Sequence, residues 1–511
     1  MRRIAPVMAQ QSATRPISAH QRARLRLRWA LALCISASLA LPPAAQAQSS
    51  GEVITKQYND GSVYEGTFKD GLQDGTGRYT LPSGFEYQGE WAKGQIEGTG
   101  RARYPNGSVY EGRFVAGKPD GQGKITYADG GSYEGSWAAG EITGTGRAAY
   151  ADGSTYVGEF LSGKHHGTGT YTDGRGLTYE GSWRAGLKDG KGRLSYPDGA
   201  VYQGDFIADQ RQGSGTLTLP NGTTYIGAWQ DGQINGTGKL TQPSGDVYEG
   251  SFKDGQRHGE GRLTYADGSI YEGSFQADQR QGQGRFTGTD GSRYIGTWQE
   301  GRMEGIGQLT YPTGAVYQGS FIADLPQGKG KISYPDGSGY EGDWAAGQIT
   351  GTGTLTLANG ARYVGALQNG KPQGTGVMSY ADGYSYDGQW RAGLREGMGK
   401  ATWADGTTYE GQFKADKRHG TGTLTQPDGF IYEGDWDQGE MQGIGKITYP
   451  TGDIYEGGLL RGKRHGPGKL TYKKGEISEG IWENGIMTAP LPAPDPDATP
   501  ETAAPAASST P

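Results

Sequence analysis

Residues 64–71 read Tyr-Glu-Gly-Thr-Phe-Lys-Asp-Gly, and close copies of this stretch return every 23 residues along the chain. A tyrosine begins eighteen consecutive copies, from Tyr64 to Tyr455, with no insertion or deletion, and Ser478 stands where the nineteenth would begin. A fixed period of this size indicates one supersecondary unit stacked on itself. Fold and function therefore have to be derived for an array of units.

Each copy contains two segments with the alternation of a β-strand. In residues 123–127 the apolar side chains Ile125 and Tyr127 stand two apart, and in residues 132–137 Tyr133, Gly135 and Trp137 share one face. A period of two is typical of a strand with one buried face. Each 23-residue unit is therefore predicted to be a β-hairpin.

Glycine-containing dipeptides mark the turns. Asn106-Gly107 and Asp152-Gly153 stand between the two segments of a unit and predict tight hairpin turns there. Gly71 and its equivalents then serve the connection to the next hairpin. The resulting prediction is an all-β fold: an elongated, single-layer, twisted antiparallel meander of 18–19 stacked hairpins, with no helix.

The N-terminal segment has the pattern of an export signal. Seven arginines and no acidic residue precede the apolar run 29–41, and the small-residue triplet 45–47 predicts cleavage after Ala47. The run is short for a membrane span, although retention as an anchor remains an alternative. The only cysteine of the chain, Cys34, lies inside this run, so no thiol or disulfide chemistry is expected in the mature protein.

The charge of the mature chain excludes one class of partner. Removing the seven arginines of the signal from the whole-chain charge of -6 leaves about -13. An acidic protein offers no basic surface for nucleic acid and little attraction for anionic lipid. We therefore expect no nucleic-acid partner, and membrane lipid is a weaker expectation than protein.

Four segments follow from these patterns. They are a signal peptide at 1–47, a lead-in strand and turn at 48–63, the repeat array at 64–487, and a disordered Pro- and Ala-rich tail at 488–511, which contains seven Pro and seven Ala. The residue four places after each tyrosine alternates between Phe and Trp, giving a physical repeat of 46 residues. The alternation slips once, at Phe252 and Phe275, which predicts a bend or a joint between two arrays near 252–275.

The pattern Tyr-Glu-Gly-x-Phe/Trp-x-x-Gly-x-x-x-Gly-x-Gly at a 23-residue period resembles the MORN repeat, of the bacterial, exported type without an attached catalytic domain. Residues 462–466, Gly-Lys-Arg-His-Gly, are close to the consensus of that family. The resemblance covers about 420 of the 511 residues. It implies twisted arrays of β-hairpins that act as scaffolds, as dimerisation elements or as binders of lipid headgroups, and it implies no activity of its own.

The aromatic residues form the candidate site. Large and small rings that alternate along one face can interdigitate, which favours a packing role over a row of ligand sites, while an exposed strip would mark a partner face. This predicted structural aromatic ladder consists of Tyr64, Phe68, Tyr87, Trp91, Tyr133, Trp137, Tyr179, Trp183, Tyr225, Trp229, Tyr294, Trp298, Tyr340, Trp344, Trp390 and Trp436.

Other conspicuous residues indicate turns and not chemistry. In four units, all with Phe, an Asp replaces the connection glycine, which predicts a variant turn with Asp in the left-handed conformation, or alternatively an anionic surface; these are Asp209, Asp278, Asp324 and Asp416. Four histidines share one repeat position that elsewhere holds Asp, Gln or Asn, and the turn aspartates are replaced by Ser, Asn or Lys in other units. Neither pattern is that of a metal site. We expect no catalytic residue, no metal and no cofactor.

The leading functional hypothesis is a non-enzymatic, exported repeat scaffold for protein interaction, self-association or envelope organisation, located in the periplasm or cell envelope. One alternative is a polysaccharide or peptidoglycan binder, which requires exposed and coplanar Trp rings on the ladder. Another is phospholipid-headgroup binding, by analogy with the family.

Overall fold

The computed structural model describes residues 51–491, which form two units, 51–281 and 282–491. The predicted signal peptide and most of the predicted tail lie outside the described residues. The division into four segments stays a prediction, as does the joint near 252–275. Within the described range, regular structure consists of strands alone.

Strands β1 to β20 belong to the first unit, β22 to β39 belong to the second, and β21 spans residue 281. Those of the first unit are β1 Ile54–Gln57, β2 Val63–Lys69, β3 Leu72–Thr80, β4 Glu86–Ala92, β5 Gln95–Arg103, β6 Val109–Val115, β7 Lys118–Thr126, β8 Ser132–Ala138, β9 Glu141–Ala149, β10 Thr155–Leu161, β11 Lys164–Thr172, β12 Thr178–Arg184, β13 Leu187–Ser195, β14 Val201–Ile207, β15 Gln210–Thr218, β16 Thr224–Gln230, β17 Gln233–Thr241, β18 Val247–Lys253, β19 Gln256–Thr264 and β20 Ile270–Gln276. The others are β21 Gln279–Thr287, β22 Arg293–Gln299, β23 Arg302–Thr310, β24 Val316–Ile322, β25 Leu325–Ser333, β26 Gly339–Ala345, β27 Gln348–Thr356, β28 Arg362–Gln368, β29 Lys371–Ser379, β30 Ser385–Arg391, β31 Leu394–Thr402, β32 Thr408–Lys414, β33 Lys417–Thr425, β34 Ile431–Asp437, β35 Glu440–Thr448, β36 Ile454–Leu460, β37 Lys463–Thr471, β38 Ile477–Glu483 and β39 Ile486–Pro490.

Strands of seven and nine residues alternate and pair antiparallel with their neighbours in sequence. In β2 and β3, for example, Tyr64 faces Tyr79 and Gly66 faces Gly77. Beyond Gly66 the register shifts at a β-bulge, and most other hairpins repeat this bulge. The predicted all-β meander of 23-residue hairpins is confirmed.

Each 23-residue unit contains two tight turns, which differ in type. Asp70 and Gly71 both have positive φ, 49° and 80°, as a two-residue type I′ turn requires, and they join β2 to β3. At Asn106-Gly107 only the glycine has positive φ, and the residues belong to a five-residue loop, 104–108. Tyr104 N–H donates to the Ser108 carbonyl at 2.8 Å and Gly107 N–H donates to the Tyr104 carbonyl at 2.9 Å, so three residues close the hairpin of β5 and β6. The tight turn predicted at Asn106-Gly107 is confirmed, as a three-residue turn that ends in a left-handed glycine.

One glycine of each strand from β2 to β19 lies directly opposite a glycine of the next strand, and β21 to β37 continue the pattern; we call this the glycine row. The Tyr64 ring lies over Gly66 and Gly77, and a Cβ built at Gly66 would stand 2.5 Å from the Tyr64 hydroxyl oxygen. That hydroxyl donates a 3.0 Å hydrogen bond to the Thr67 carbonyl at the bulge. The glycine between the two aromatic residues is thus required for the close approach of the ring.

The aromatic ladder forms the core. Tyr110 contacts the Phe114 ring of its own unit at 5.0 Å and the Trp137 ring of the next unit at 5.1 Å, both in edge-to-face geometry. Tyr202, within residues 51–281, and Tyr317, within residues 282–491, make the same two contacts. All sixteen predicted ladder residues are at most 8% exposed. The rings therefore stabilise the array by packing hairpin against hairpin.

Candidate functional site

The face of the sheet opposite the ladder, which we call the open face, carries a ladder of charges. Residues next to the core tyrosines point away from the core because strand side chains alternate. Arg101 Nε lies 3.0 Å from Glu111 Oε1, and Lys239 Nζ lies 2.8 Å from Glu249 Oε1. Such exposed pairs contribute little stability, so the open face is a solvated surface of balanced charge.

Exposed apolar residues interrupt this charge ladder after four of the tyrosines, at Val157, Ile226, Ile295 and Val364, and at the last of these a second valine faces the first. Val364 of β28 faces Val377 of β29, at positions that hold Glu and Lys or Arg in many other units, and their exposures are 40% and 37%. A groove of about 700 Å³ runs beside Val364 along the glycine row and is lined by Lys331, Glu341 and Thr354, among others. Sequence analysis missed these valines; two apolar residues at facing charge positions were the available signal.

Charges along this groove are already paired. Lys331 Nζ lies 3.5 Å from Glu341 Oε2, and Lys329 Nζ lies 2.5 Å from Asp343 Oδ1. The hydrogen bond from Lys329, together with bonds from Thr352, lowers the pKa of Asp343 to about 2. The groove thus presents backbone, paired charges and an apolar border.

The four connection aspartates have a specific partner. Each has a φ between 67° and 73°, in line with the variant turn predicted from the sequence. Their carboxylates accept the backbone N–H of the residue 21 places earlier, at 2.8 to 3.0 Å. Three of those earlier residues are Lys188, Arg257 and Arg395, whose side chains also form an ion pair with the same carboxylate. The spacing of 21 residues was the sequence signal that could have revealed this pairing.

Arg211 and Arg418 occupy the same repeat position as Lys188, Arg257 and Arg395. Their side chains are arranged differently, because the 23-residue unit that follows each of them contains Trp instead of Phe. The guanidinium carbon of Arg211 lies 4.2 Å from the Trp229 ring centre, and Arg418 lies 4.0 Å from that of Trp436. Nη2 of Arg211 donates to the carbonyl of the turn residue Gly232 at 2.7 Å. Trp is the strongest cation–π partner, so a buried cation needs no carboxylate there. This accounts for three of the four aspartates, Asp209, Asp278 and Asp416, whose partners are basic; the partner of Asp324 is Met303.

At the repeat position shared by the four histidines, side chains of other units accept hydrogen bonds from the backbone of the next turn. Asp120 Oδ2 accepts the N–H of Ala139 at 3.0 Å, and Gln212 Oε1 accepts that of Asp231 at 2.8 Å. His419 instead lies 3.2 Å from Asp437. Within residues 51–491 no group of three or more His, Cys, Asp or Glu is arranged to hold a metal.

One histidine differs from these four because it lies in the core. His165 stacks on Tyr156 with ring centres 3.7 Å apart, and its Nε2 is 2.7 Å from the Tyr150 hydroxyl. Burial lowers the pKa of His165 to about 4. This residue therefore packs as a neutral ring among aromatic neighbours.

The turn aspartates act as local acceptors, as their sequence pattern predicted. Asp129 Oδ1 accepts the N–H of Gly131, and Asn106 Oδ1 accepts that of Ser108, both at 3.0 Å. Burial also raises the pKa of Tyr64 to about 12, so this core hydroxyl stays protonated. Within residues 51–491 there is no helix long and apolar enough to cross a membrane.

The open face, the glycine row and the ladder recur with the 23-residue period that a family model describes. The model of the MORN repeat matches eighteen consecutive segments, from residues 64–85 to residues 455–477, and these cover more than half of the chain. The chain belongs to the MORN-repeat family. The matched model describes a repeat and not a catalytic domain.

Solved structures with slight similarity to this MORN-repeat chain include two domains in complex with peptides. The TCP domain of Drosophila melanogaster SAS-4, in complex with a proline-rich motif, is 13% identical, covers 35% of this chain and 85% of its own, and has a TM-score of 0.19. The TCP10 domain of Danio rerio CPAP, in complex with a STIL peptide, is 15% identical, with 62% and 98% covered and a TM-score of 0.15. A streptogramin B lyase is 14% identical, with 56% and 88% covered and a TM-score of 0.11. Such low scores carry no argument about function, and no curated protein matches the chain.

Proposed function

We propose that this MORN-repeat array is a non-enzymatic scaffold that binds a protein partner on its open face, and that it is exported to the periplasm or cell envelope. Export is supported by the arginine-rich segment, the apolar run and the small residues before Ala47. The ladder does not support sugar stacking, because its Trp rings are buried. The proposal therefore concerns the open face.

The exposed pair Val364 and Val377 carries the proposal. A facing apolar pair in place of a charge pair exposes apolar surface to water. This exposure is unfavourable unless a partner covers the pair. The neighbouring groove contains paired charges and glycine backbone, so it offers no field of one sign. These features fit an extended protein segment with apolar side chains and little net charge.

The test restores the charge ladder at this place. Replacing Val364→Glu and Val377→Lys reproduces the facing pair Glu456 and Lys469 of a later unit and leaves the core unchanged. Proximity labelling with the native chain should enrich one partner, and the double variant should lose at least nine-tenths of that enrichment at unchanged thermal stability. Equal enrichment by both proteins would refute the proposed surface.

Val157→Glu provides the matched control. Val157 occupies the same repeat position in the first unit and is 51% exposed, so the same apolar-to-acid change is made away from the proposed surface. Partner enrichment should be unchanged in this variant. Export is tested separately by fractionation and N-terminal sequencing, where a mature protein that begins at Gln48 is expected and a cytoplasmic, full-length protein would contradict export.

A further inference from the structure

The five-residue loops between hairpins lie along one edge of the sheet, opposite the two-residue turns. Each of the last five loops contains at least one aromatic residue, whereas the loop before them, 357–361, contains none. Successive loops touch, since Asp453 Oδ1 accepts the N–H of Lys473 at 2.9 Å. We call the aromatic residues of these five loops the loop patch; they are Tyr380, Tyr384, Trp403, Phe430, Tyr449 and Tyr472.

The rings of the loop patch are accessible, unlike those of the ladder. Tyr380 is 37% exposed and Tyr472 is 38% exposed, and the other four rings are half-buried. Trp403 stands apart from the other tryptophans of residues 51–491, which all occupy the alternating Phe/Trp position of the repeat and are buried. Partly exposed rings in consecutive loops form an apolar strip, and such a strip on a protein surface marks a binding site.

Three rings of the loop patch have a defined geometry. The Tyr384 ring lies 5.4 Å from both the Tyr380 ring and the Trp403 ring, with interplanar angles of 44° and 57°. Arg395 donates from Nη1 to the Tyr384 hydroxyl and pairs with Asp416, which anchors the tyrosine. Rings tilted in this way offer no flat platform for a sugar. They form ridges instead, as in the aromatic-lined grooves that bind proline-rich segments.

The spacing of the loops is close to that of a polyproline II helix. Each 23-residue repeat contributes two strands, so equivalent loop residues recur about every 10 Å along the sheet. One turn of polyproline II contains three residues and rises about 9 Å. A proline-rich segment in this conformation would therefore present the same one of its three faces to successive loops.

The chain itself contains such a segment directly after the last strand. Residues 492–511 include six prolines, and β39 begins after the two-residue turn Asn484-Gly485, so it runs toward the loops. Trp403 lies between β31 and β32, about 36 Å from β39 by strand spacing. Twenty residues of polyproline II extend over about 62 Å, so the segment 492–511 can reach all five loops.

The charges of the two parts are complementary where they would meet first. The segment 492–511 contains three acidic residues, Asp495, Asp497 and Glu501, and no basic residue. Lys473 and Lys474 of the last loop are exposed and outnumber its one acidic residue. Asp495 comes four residues after residue 491, which is about 12 Å of polyproline II, so it can reach this loop. Attraction between these charges favours the chain's own segment as the occupant.

We propose that the proline-rich segment 492–511 docks in polyproline II conformation on the loop patch of its own chain and covers these rings. A proline-rich chain is already extended, so docking costs it little conformational entropy. The direct connection to β39 makes the contact intramolecular and gives it a high effective concentration. The inference goes beyond the proposed partner binding, because the loop patch does not include the valines of the open face.

Cleavage of the full chain by a glutamate-specific protease tests the docking, because Glu501 lies within the segment that would be covered. Tyr384→Ala with Trp403→Leu copies Ala361 and Leu357 of the preceding loop, so the fold should be retained, as circular dichroism verifies. We expect cleavage after Glu501 to be at least fivefold faster in this double variant than in the native chain. Equal rates would overturn the proposal.

Tyr334→Leu provides the matched control. Tyr334 occupies the same repeat position as Trp403 and is 41% exposed, but the loop 357–361 without aromatic residues separates it from the loop patch. Its substitution should leave the cleavage rate after Glu501 unchanged. The same acceleration as in the double variant would contradict the assignment of the docking site to the loop patch.

Cross-linking locates the docked segment. In a Cys34→Ser background, Ala503→Cys should form an intramolecular disulfide with Ala404→Cys, since twelve residues of polyproline II after Leu491 cover about 37 Å. A preference for Pro450→Cys, in a loop nearer to β39, would show a detached segment, and a covalent dimer would show docking on a second copy; either result refutes the proposal. Equal cleavage of both proteins, with isolated peptidoglycan bound by the native chain and not by the double variant, would instead make the loop patch a sugar site.

Discussion

Arg257 and Asp278 stand 21 residues apart in sequence and form one ion pair, with Nε of Arg257 3.1 Å from Oδ1 of Asp278. The same guanidinium donates from Nη2 to the Asp278 carbonyl at 2.7 Å, and only 7% of the arginine side chain is exposed. One hairpin thus supplies a buried cation and the next supplies a carboxylate from its turn. The pairing couples neighbouring units through polar contacts as well as through rings.

This pairing should be transferable between units. Asp278→Gly relieves the left-handed strain but removes a charge-assisted hydrogen bond, so we expect a net loss of about 1 kcal/mol in the free energy of unfolding. Gly232→Asp should add less than about 1 kcal/mol, because Arg211 already stacks on Trp229 and donates to the Gly232 carbonyl. Urea denaturation measures both variants. A more stable Asp278→Gly protein would contradict the assigned role.

The cation–π arrangement predicts a rescue. Trp436→Phe removes the best stacking partner of Arg418 and the hydrogen bond from Trp436 Nε1 to the Gly422 carbonyl at 3.1 Å, so a loss of about 2 kcal/mol is expected. Adding Gly439→Asp recreates the combination found in the Phe units and should recover part of that loss. Thermal unfolding of the two single variants and the double variant measures the recovery. If the effects of the two substitutions on stability simply add, the proposed rescue is wrong.

The glycine row should tolerate no side chain. In Gly238→Ala the new methyl group would stand 2.5 Å from the Tyr225 ring, so overpacking should cost about 1 to 3 kcal/mol. The neighbouring Thr237→Ala change, on the exposed open face, is the control and should stay within about 0.5 kcal/mol. Hydrogen exchange should show the loss of protection centred on β16 and β17. Equal stability of the two variants would show that the ring can move aside.

The stability of residues 51–281 should fall in mild acid because of His165. The pKa of its neutral, buried ring is about 4, lowered first by burial and then by Lys188, with Asp209 opposing, against about 6.5 in the unfolded chain. The stabilisation is complete above pH 6.5 and is lost as the pH falls toward 4, by about 3 kcal/mol in all. His165→Ile, which copies Ile142 and Ile234, should flatten this part of the profile, whereas His166→Gln should leave it unchanged.

The sequence predicted the strands, the meander and the buried ladder because each depends on local alternation that every unit repeats. It predicted a turn at both Asp70-Gly71 and Asn106-Gly107 but not the type of each turn, because the two dipeptides give the same signal and only the φ of the first residue distinguishes them. The partners of the connection aspartates depend on contacts between successive units, which a comparison of equivalent positions does not reveal. The valine pair escaped notice because each valine alone is an ordinary strand residue.

Every strand pairing in the described residues joins segments within about twenty residues of each other in sequence. Folding of such a chain requires the closure of short loops only, so its rate should depend on the formation of one pair of hairpins and very little on the length of the array. Units could be added or removed by duplication or deletion of 46-residue segments without changing that rate. The local register of the sheet therefore makes the length of this protein free to vary.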